Sequence, residues 1–232
     1  MVKTKTSDSI EGILLINKPI GKTSFHLVYQ LRKRLGVQKI GHAGTLDPFA
    51  TGVMVMLIGR NYTRLSDSFL CNDKEYLARV FLGKSTDTFD CDGKIQSESS
   101  LIPTLSDVKE AIASFQGEIE QIPPMFSAKK IDGQKLYHLA RQGINVERQP
   151  VKITLTTELL DYAYPYLDIN IKCSKGTYIR SIAHDLGNLL KCGAHLTSLV
   201  RTRSGNFLLK DCLDGTLLNE PTADIASHLF SV

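Results

Sequence analysis

Gly41-His42-Ala43-Gly44-Thr45-Leu46-Asp47-Pro48-Phe49-Ala50-Thr51-Gly52 is the stretch on which the reading of this chain turns. It holds three glycines, one histidine and one aspartate, and it leads into the apolar run 53–58. Glycines allow positive φ and close approach of backbone to a neighbour or ligand. A histidine and a carboxylate in one such loop suit a site that handles a polar substrate. Asp47-Pro48 also has a plain structural reading, as a helix start with Asp as N-cap and Pro at the first helical position. The residues of the loop leave both readings open.

Working outward, residues 12–16 form a short apolar run that reads as a buried strand, and Lys18-Pro19 ends it because proline cannot donate to a ladder. Thr23 or Ser24 can cap a helix running to Leu35, with Gly36 as its stop. Residues 53–58 and 76–82 read as further strands. Val108, Ala111, Ile112 and Phe115 fall at i, i+3, i+4 and i+7, one buried helix face, and Thr104 with Asp107 makes a weak capping pair. Asp132-Gly133 signals a tight turn, followed by a short helix over 135–142 ended by Gly143. Val151, Ile153, Leu155 and Leu159 alternate, as do Leu167, Ile169, Ile171 and Cys173, the pattern of strands with one buried face. Residues 177–190 have helical spacing and 196–203 read as a strand. Hairpin-like neighbours with helices between them predict an α+β fold, a mixed and largely antiparallel sheet flanked by helices. The tail after about Gly205 is expected to end in a short helix near 223–230.

The chain has 232 residues, 42% hydrophobic and 22% charged, which excludes disorder and coiled coil and allows a sizeable core. Its net charge is +4, from 28 basic and 24 acidic residues, with the basic ones crowded in 22–39 and 129–148 and acidic ones in 87–92 and the tail. Such asymmetry suits a polyanion held on one face, although solvated surface charge produces it too. Five scattered cysteines without a CxxC pair give neither a disulfide framework nor a zinc site. The first eleven residues lack an apolar signal core and no apolar run could span a bilayer, so a cytoplasmic protein without membrane association is expected. Gly21-Lys22-Thr23 imitates a P-loop end, but Ile16 stands where its first glycine belongs and Pro19 interrupts it. There is no HExxH and no G-x-S-x-G. No metal and no nucleotide cofactor is indicated.

The 41–52 segment resembles the GHTGxLDPxATG-type motif of the TruB family of tRNA pseudouridine-55 synthases, with Ala43 where the family usually has Thr. Other blocks follow in family order. Gly12-Ile13-Leu14-Leu15-Ile16-Asn17-Lys18-Pro19 is similar to the N-terminal strand and Lys-Pro turn. Lys74-Glu75-Tyr76, with Gly83 and Thr86-Asp87-Thr88, is similar to the tyrosine motif. Gln121-Ile122-Pro123-Pro124-Met125-Phe126-Ser127-Ala128-Lys129-Lys130 and Leu136-Tyr137 with Ala140-Arg141-Gln142-Gly143 match further blocks. Cys173-Ser174-Lys175-Gly176-Thr177-Tyr178-Ile179-Arg180 resembles the arginine motif, and Gly193-Ala194-His195-Leu196 with Leu199, Arg201 and Arg203 the last one. The resemblance runs from about Glu11 to about Gly205.

This resemblance implies a pseudouridine synthase fold with a flexible N-terminus at 1–10, a catalytic domain over 11–205 and a short extension over 206–232 without a full C-terminal PUA domain. It implies isomerisation of the T-loop uridine at tRNA position 55 without a cofactor, by a monomer that needs no guide RNA. Asp47 is then the nucleophile, and attack on ribose C1′, attack on C6 of the base and initial deprotonation of the ribose all remain open. Arg180 is expected to pair with Asp47. Tyr76 is expected to stack on the flipped base and to accept the C5 proton. Tyr178 and Leu199 map to the substrate pocket, His42 to a T-loop contact, and Lys18 to RNA binding with Lys22, Lys129, Lys130, Arg141 and Lys175. The competing expectation is a non-catalytic tRNA binder or folding chaperone on the same scaffold.

Overall fold

A computed structural model describes residues 10–231. Apart from Ile10, the segment expected to be flexible lies outside the described residues. In chain order the elements are β1 (Gly12–Lys18), α1 (Ser24–Leu35), β2 (Ile40–His42), β3 (Thr51–Ile58), α2 (Arg60–Thr63), α3 (Ser66–Leu70) and β4 (Lys74–Leu82). Then come β5 (Lys84–Thr86), β6 (Ile95–Glu98), α4 (Leu105–Ala113), β7 (Gly117–Gln121), β8 (Lys130–Ile131), β9 (Gln134–Lys135) and α5 (Leu136–Arg141). The chain ends with β10 (Val151–Ala163), β11 (Tyr166–Cys173), α6 (Ile179–Leu189), β12 (Ala194–Ser204), β13 (Phe207–Leu208), β14 (Leu213–Asp214) and short 3-10 turns. Two compact units result: Met1–Lys74 with Val200–Val232, and Glu75–Leu199, the boundaries falling inside β4 and β12.

In the first unit β1 runs parallel to β14 and antiparallel to β3. Both β1 and β3 are buried along nearly their whole length, which is why they read as continuous apolar runs and not as alternations. The other edge of β3 is shared. β2 covers Met56, Leu57 and Ile58, and β12 covers Thr51 and Gly52 in parallel register. Gly52 is required there: at φ 108 a Cβ would come within 2.3 Å of the Arg201 carbonyl oxygen. The core of the unit gathers Ile13, Leu15, Ala43, Val53, Val55 and Leu57, with Phe69 and Phe207 packed against them. Helix α1 starts where the sequence places it. The Thr23 side chain accepts from His26 N at 3.1 Å, and Gly36 closes the helix in the left-handed region. It buries Leu27, Val28 and Leu31.

In the second unit the sheet order is β12-β4-β11-β10-β7. The pairs β10·β11 and β10·β7 are antiparallel, so the sheets are mixed and largely antiparallel, as expected. Strand β4 alternates, with Tyr76, Ala78, Val80 and Leu82 buried and Leu77 and Arg79 outward. Helix α4 packs on β10 and α6. It opens with a full capping box: Thr104 accepts from Asp107 N at 3.2 Å, and Asp107 accepts from Thr104 N at 2.8 Å. Asp132 and Gly133, both at positive φ, make the tight turn between β8 and β9.

Two elements differ from expectation. Helix α6 begins at Ile179, two residues later than its spacing suggests, because the Tyr178 backbone is held extended by another side chain, described below. The helix expected near 223–230 is one 3-10 turn over Ala226–His228. Asp224 accepts from Ser227 N at 3.2 Å, closing a local turn that competes with helix. Phe230 then exchanges backbone hydrogen bonds with Ile13 and must be extended. Among the described residues no helix is long and apolar enough to cross a membrane.

Candidate functional site

Residues 47–50 form a β-turn, not a helix start. Ala50 N donates to the Asp47 carbonyl at 3.1 Å and puts Pro48 second in the turn, and β3 begins directly afterwards at Thr51. Leu46 and Phe49 anchor the turn as buried side chains, while Asp47 is partly exposed between them. The backbone around Asp47 is held by three other side chains. Ser24 Oγ accepts from Leu46 N at 3.0 Å and donates to Leu46 O at 3.1 Å. Lys18 Nζ donates to Pro48 O at 3.2 Å, as well as to Lys22 O at 2.6 Å and Pro19 O at 3.0 Å. Arg201 donates through Nη1 to Thr45 O at 3.3 Å and through Nη2 to Gly44 O at 3.5 Å. Its Nε donates to Val53 O at 2.7 Å, at the gap that β2 and β12 leave on the edge of β3.

Lys18 and Arg201 are both buried. Among the described residues no carboxylate makes a salt bridge with Arg201, and its donors go to three carbonyls and to Met54 Sδ at 3.2 Å. Burial lowers the Lys18 ammonium to about 8, the Asp47 carboxylate opposes that shift, and the Arg201 charge adds to it. Burial also lowers the pKa of His42, with Arg201 contributing and a hydrogen bond to the Gly44 backbone opposing, so His42 is neutral near pH 7. The Lys18 ammonium therefore faces one carboxylate on a fixed turn, and Arg201 braces the carbonyls that precede it. A carboxylate so presented can attack carbon covalently or take a proton.

The second unit carries Tyr76, Tyr178, Arg180 and Leu199. Tyr76 and Leu199 are buried, on the neighbouring strands β4 and β12. Tyr178 is the N-cap residue of α6 and is partly exposed. The buried Gln121 clasps its backbone: Gln121 Oε1 accepts from Tyr178 N at 2.8 Å and Gln121 Nε2 donates to Tyr178 O at 3.0 Å. Ser181 Oγ donates to Ile122 O at 3.2 Å. Arg180, the second residue of α6 and 5% exposed, donates to Thr88 O at 2.9 Å and Phe126 O at 2.8 Å. Its Nη1 lies 3.5 Å from Asp90 Oδ2, both side chains being buried. Asp90 is itself oriented by the Thr88 hydroxyl at 2.5 Å and by Asp92 N at 3.1 Å. A buried guanidinium needs such a partner, since an uncompensated charge in the interior costs several kcal/mol.

Sequence reasoning overlooked four of these side chains as site residues. Asp90 sits in what reads as an acidic surface patch, Gln121 at the head of the Gln-Ile-Pro-Pro block, and Arg201 among scattered basic residues. Ser24 reads as an alternative helix cap. The structure gives that role to Thr23 and turns Ser24 onto Leu46.

Residues 32–179 match the model of the TruB family pseudouridylate synthase N-terminal domain, and 180–220 match the tRNA pseudouridylate synthase B C-terminal domain. The chain belongs to the TruB family. A relative named tRNA pseudouridine synthase B, from Protochlamydia amoebophila (strain UWE25), is 70% identical over 213 residues, which is 92% of this chain and 81% of that one. One of the same name from Chlamydia muridarum (strain MoPn / Nigg) is 58% identical over 223 residues, 96% of this chain and 92% of the relative. Among solved structures, a chain of a Cbf5-Nop10-Gar1 complex superposes with a TM-score of 0.70 at 26% identity, covering 95% of this chain and 59% of that one. A chain of an H/ACA RNP bound to a substrate RNA matches at TM-score 0.68 and 23% identity, covering 96% and 59%, and shares the fold. The TruB-family match spans both units and includes every candidate residue except Lys18 and Lys22, which precede residue 32.

Proposed function

We propose that this TruB-family chain is a tRNA pseudouridine synthase that isomerises the T-loop uridine at position 55. The observation that carries the reading is the family match over 32–220, together with relatives of that name at 58% and 70% identity over most of the chain. The target uridine must leave the stack before its ribose can be reached, at a cost of a few kcal/mol. Asp47, on its braced turn, acts on the flipped nucleotide by attack on C1′ or C6, or by drawing a proton from the ribose. The N1–C1′ bond breaks, the uracil rotates, and C1′ rejoins at C5. C5 loses its proton and N1 gains one, so the reaction is an isomerisation with no other reactant.

Tyr76 stacks on the base and takes the C5 proton. Tyr178 and Leu199 line the base pocket, and Arg180 supplies the fixed positive charge. His42, neutral at pH 7, serves as a hydrogen-bonding contact to the T-loop. In this reading Lys18 steadies the Asp47 turn and its charge from inside, and exposed Lys22, Lys130, Arg141 and Lys175 meet phosphates. The catalytic domain is taken as 11–205, with 206–232 as an extension packed on it. The enzyme acts as a monomer in the cytoplasm and without a guide RNA. The identity to relatives named tRNA pseudouridine synthase B, far above that to a chain of the Cbf5-Nop10-Gar1 complex, supports the last point.

The test is to incubate an unmodified tRNA transcript with the protein, then map pseudouridine by carbodiimide adduct and primer extension. A stop at position 55 without release of free uracil is expected. Free uracil would mean a glycosidase, and RNA binding without a stop would mean a chaperone; either overturns the proposal.

A further inference from the structure

Helix α1 has an outward face that the chemistry of the Asp47 turn does not use. Phe25 and Tyr29 are 64% and 61% exposed, and their i, i+4 spacing puts them side by side on the helix. The guanidinium of Arg32 lies over the Phe25 ring, 5.9 Å from its centroid. Lys33, one turn beyond Tyr29, is exposed, as is Lys22 just before the helix. The helix contains no Asp or Glu. Among the described residues none of Lys22, Arg32 and Lys33 makes an ion pair. Buried Arg32 Nε has no hydrogen-bond partner. Single exposed apolar residues need no explanation. An adjacent aromatic pair bordered by cations without counterions is a different surface, because rings stack on unpaired bases and the cations meet phosphates.

The helix also starts at the reaction turn. Ser24, its first residue, is bonded to Leu46, and Lys22 O accepts from the same ammonium that holds Pro48 O. A twelve-residue helix is about 18 Å long, so this face begins beside the Asp47 turn and extends about that far from it. We propose that the outward face of α1 is an RNA docking surface in which Phe25 and Tyr29 stack on an unpaired base and Lys22, Arg32 and Lys33 hold the backbone beside it. The partner is a part of the tRNA outside the target nucleotide. The proposal rests on the tRNA reading given above.

The probe is a full-length tRNA transcript, followed by fluorescence anisotropy over a range of KCl concentrations. All the substituted side chains lie on the surface or its edge, and retention of the fold is checked by thermal melting. Phe25→Ala with Tyr29→Ala should weaken Kd about tenfold or more, the loss of one stacked base, with the salt slope as in wild type. Arg32→Gln with Lys33→Gln should reduce the slope of log K against log salt by about 1–2. Affinity and slope unchanged in both folded double variants would overturn the proposal. So would RNA affinity unchanged while the aromatic pair proves to hold two copies together in sedimentation. Pseudouridine formation by the wild type is scored separately. If none forms and the anisotropy pattern holds, the catalytic reading falls and the docking surface stands.

Discussion

Replacing Arg201 is the perturbation that reaches furthest into the Asp47 turn. To carbonyls its guanidinium makes one short bond, to Val53 O at 2.7 Å, and two long ones, to Thr45 O and Gly44 O at 3.3 and 3.5 Å, beside a weak one to Met54 Sδ. Hydrogen bonds from a charged donor contribute about 1.5–3 kcal/mol at good geometry. The short bond falls in that range and the two long ones together add about 1 kcal/mol. Arg201→Met removes them and strands the carbonyls, but it also removes the desolvation cost of a buried charge. A net loss of about 3 kcal/mol is expected, which for a chain of 232 residues is about 6–12 °C in Tm. The turn then loses its anchor on the Gly44–Thr45 side, and a displacement near 1 Å at a reacting group costs about a hundredfold in rate. kcat for pseudouridine formation should fall by about that factor and KM should change little. Arg201→Lys keeps the charge but not the fork, and it should recover stability more than rate. Since the Arg201 charge helps depress His42, Arg201→Met should also move the His42 titration, followed by NMR, up toward 6.5. A folded Arg201→Met protein with unchanged kcat and an unmoved His42 would refute the reasoning.

Gln121→Met removes both hydrogen bonds to the Tyr178 backbone; kcat is expected to fall more than tenfold in tritium-release assays, and Gln121→Glu, which keeps the acceptor for Tyr178 N, should lose less. The Lys18 ammonium, at about 8 because of burial, loses its charge as pH rises through 8. The rate should therefore show a descending limb there that is absent in Lys18→Arg. The unfolded chain holds that proton up to about 10.5, so between pH 8 and 10.5 this group makes stability rise with pH. Burial raises Asp185 to about 6, so the native state binds the extra proton between pH 4 and 6 and stability falls as pH rises through that window. Asp185→Asn should raise Tm at pH 7 and leave it nearly unchanged at pH 4.

Local chemistry was enough to read much of the fold. Thr23 and Gly36 bracket α1, Thr104 and Asp107 close a capping box, Asp132-Gly133 turns a hairpin, and β10 and β11 alternate as their residues require. The three-residue β2 and the pair β5·β6 are too short for a periodicity to show. Asp47-Pro48 was ambiguous for a physical reason, since Asp then Pro favours both a helix start and a β-turn. The choice is made by Ala50 N returning to Asp47 O and by β3 taking up the chain at Thr51. The residues that brace the site were the least legible. Arg180 finds Asp90 across 90 positions, and Arg201 reaches Thr45 across 156. No spacing rule encodes contacts of that range.

The most direct measurement is tritium release to water from tRNA labelled at uridine C5, under single turnover, by the wild type and by Asp47→Asn. The wild type should release the tritium of one uridine per tRNA without free uracil. The variant, nearly isosteric on the same turn, should bind the tRNA and release none above background. Release by Asp47→Asn at a rate near that of the wild type would contradict the assignment of Asp47 as the nucleophile.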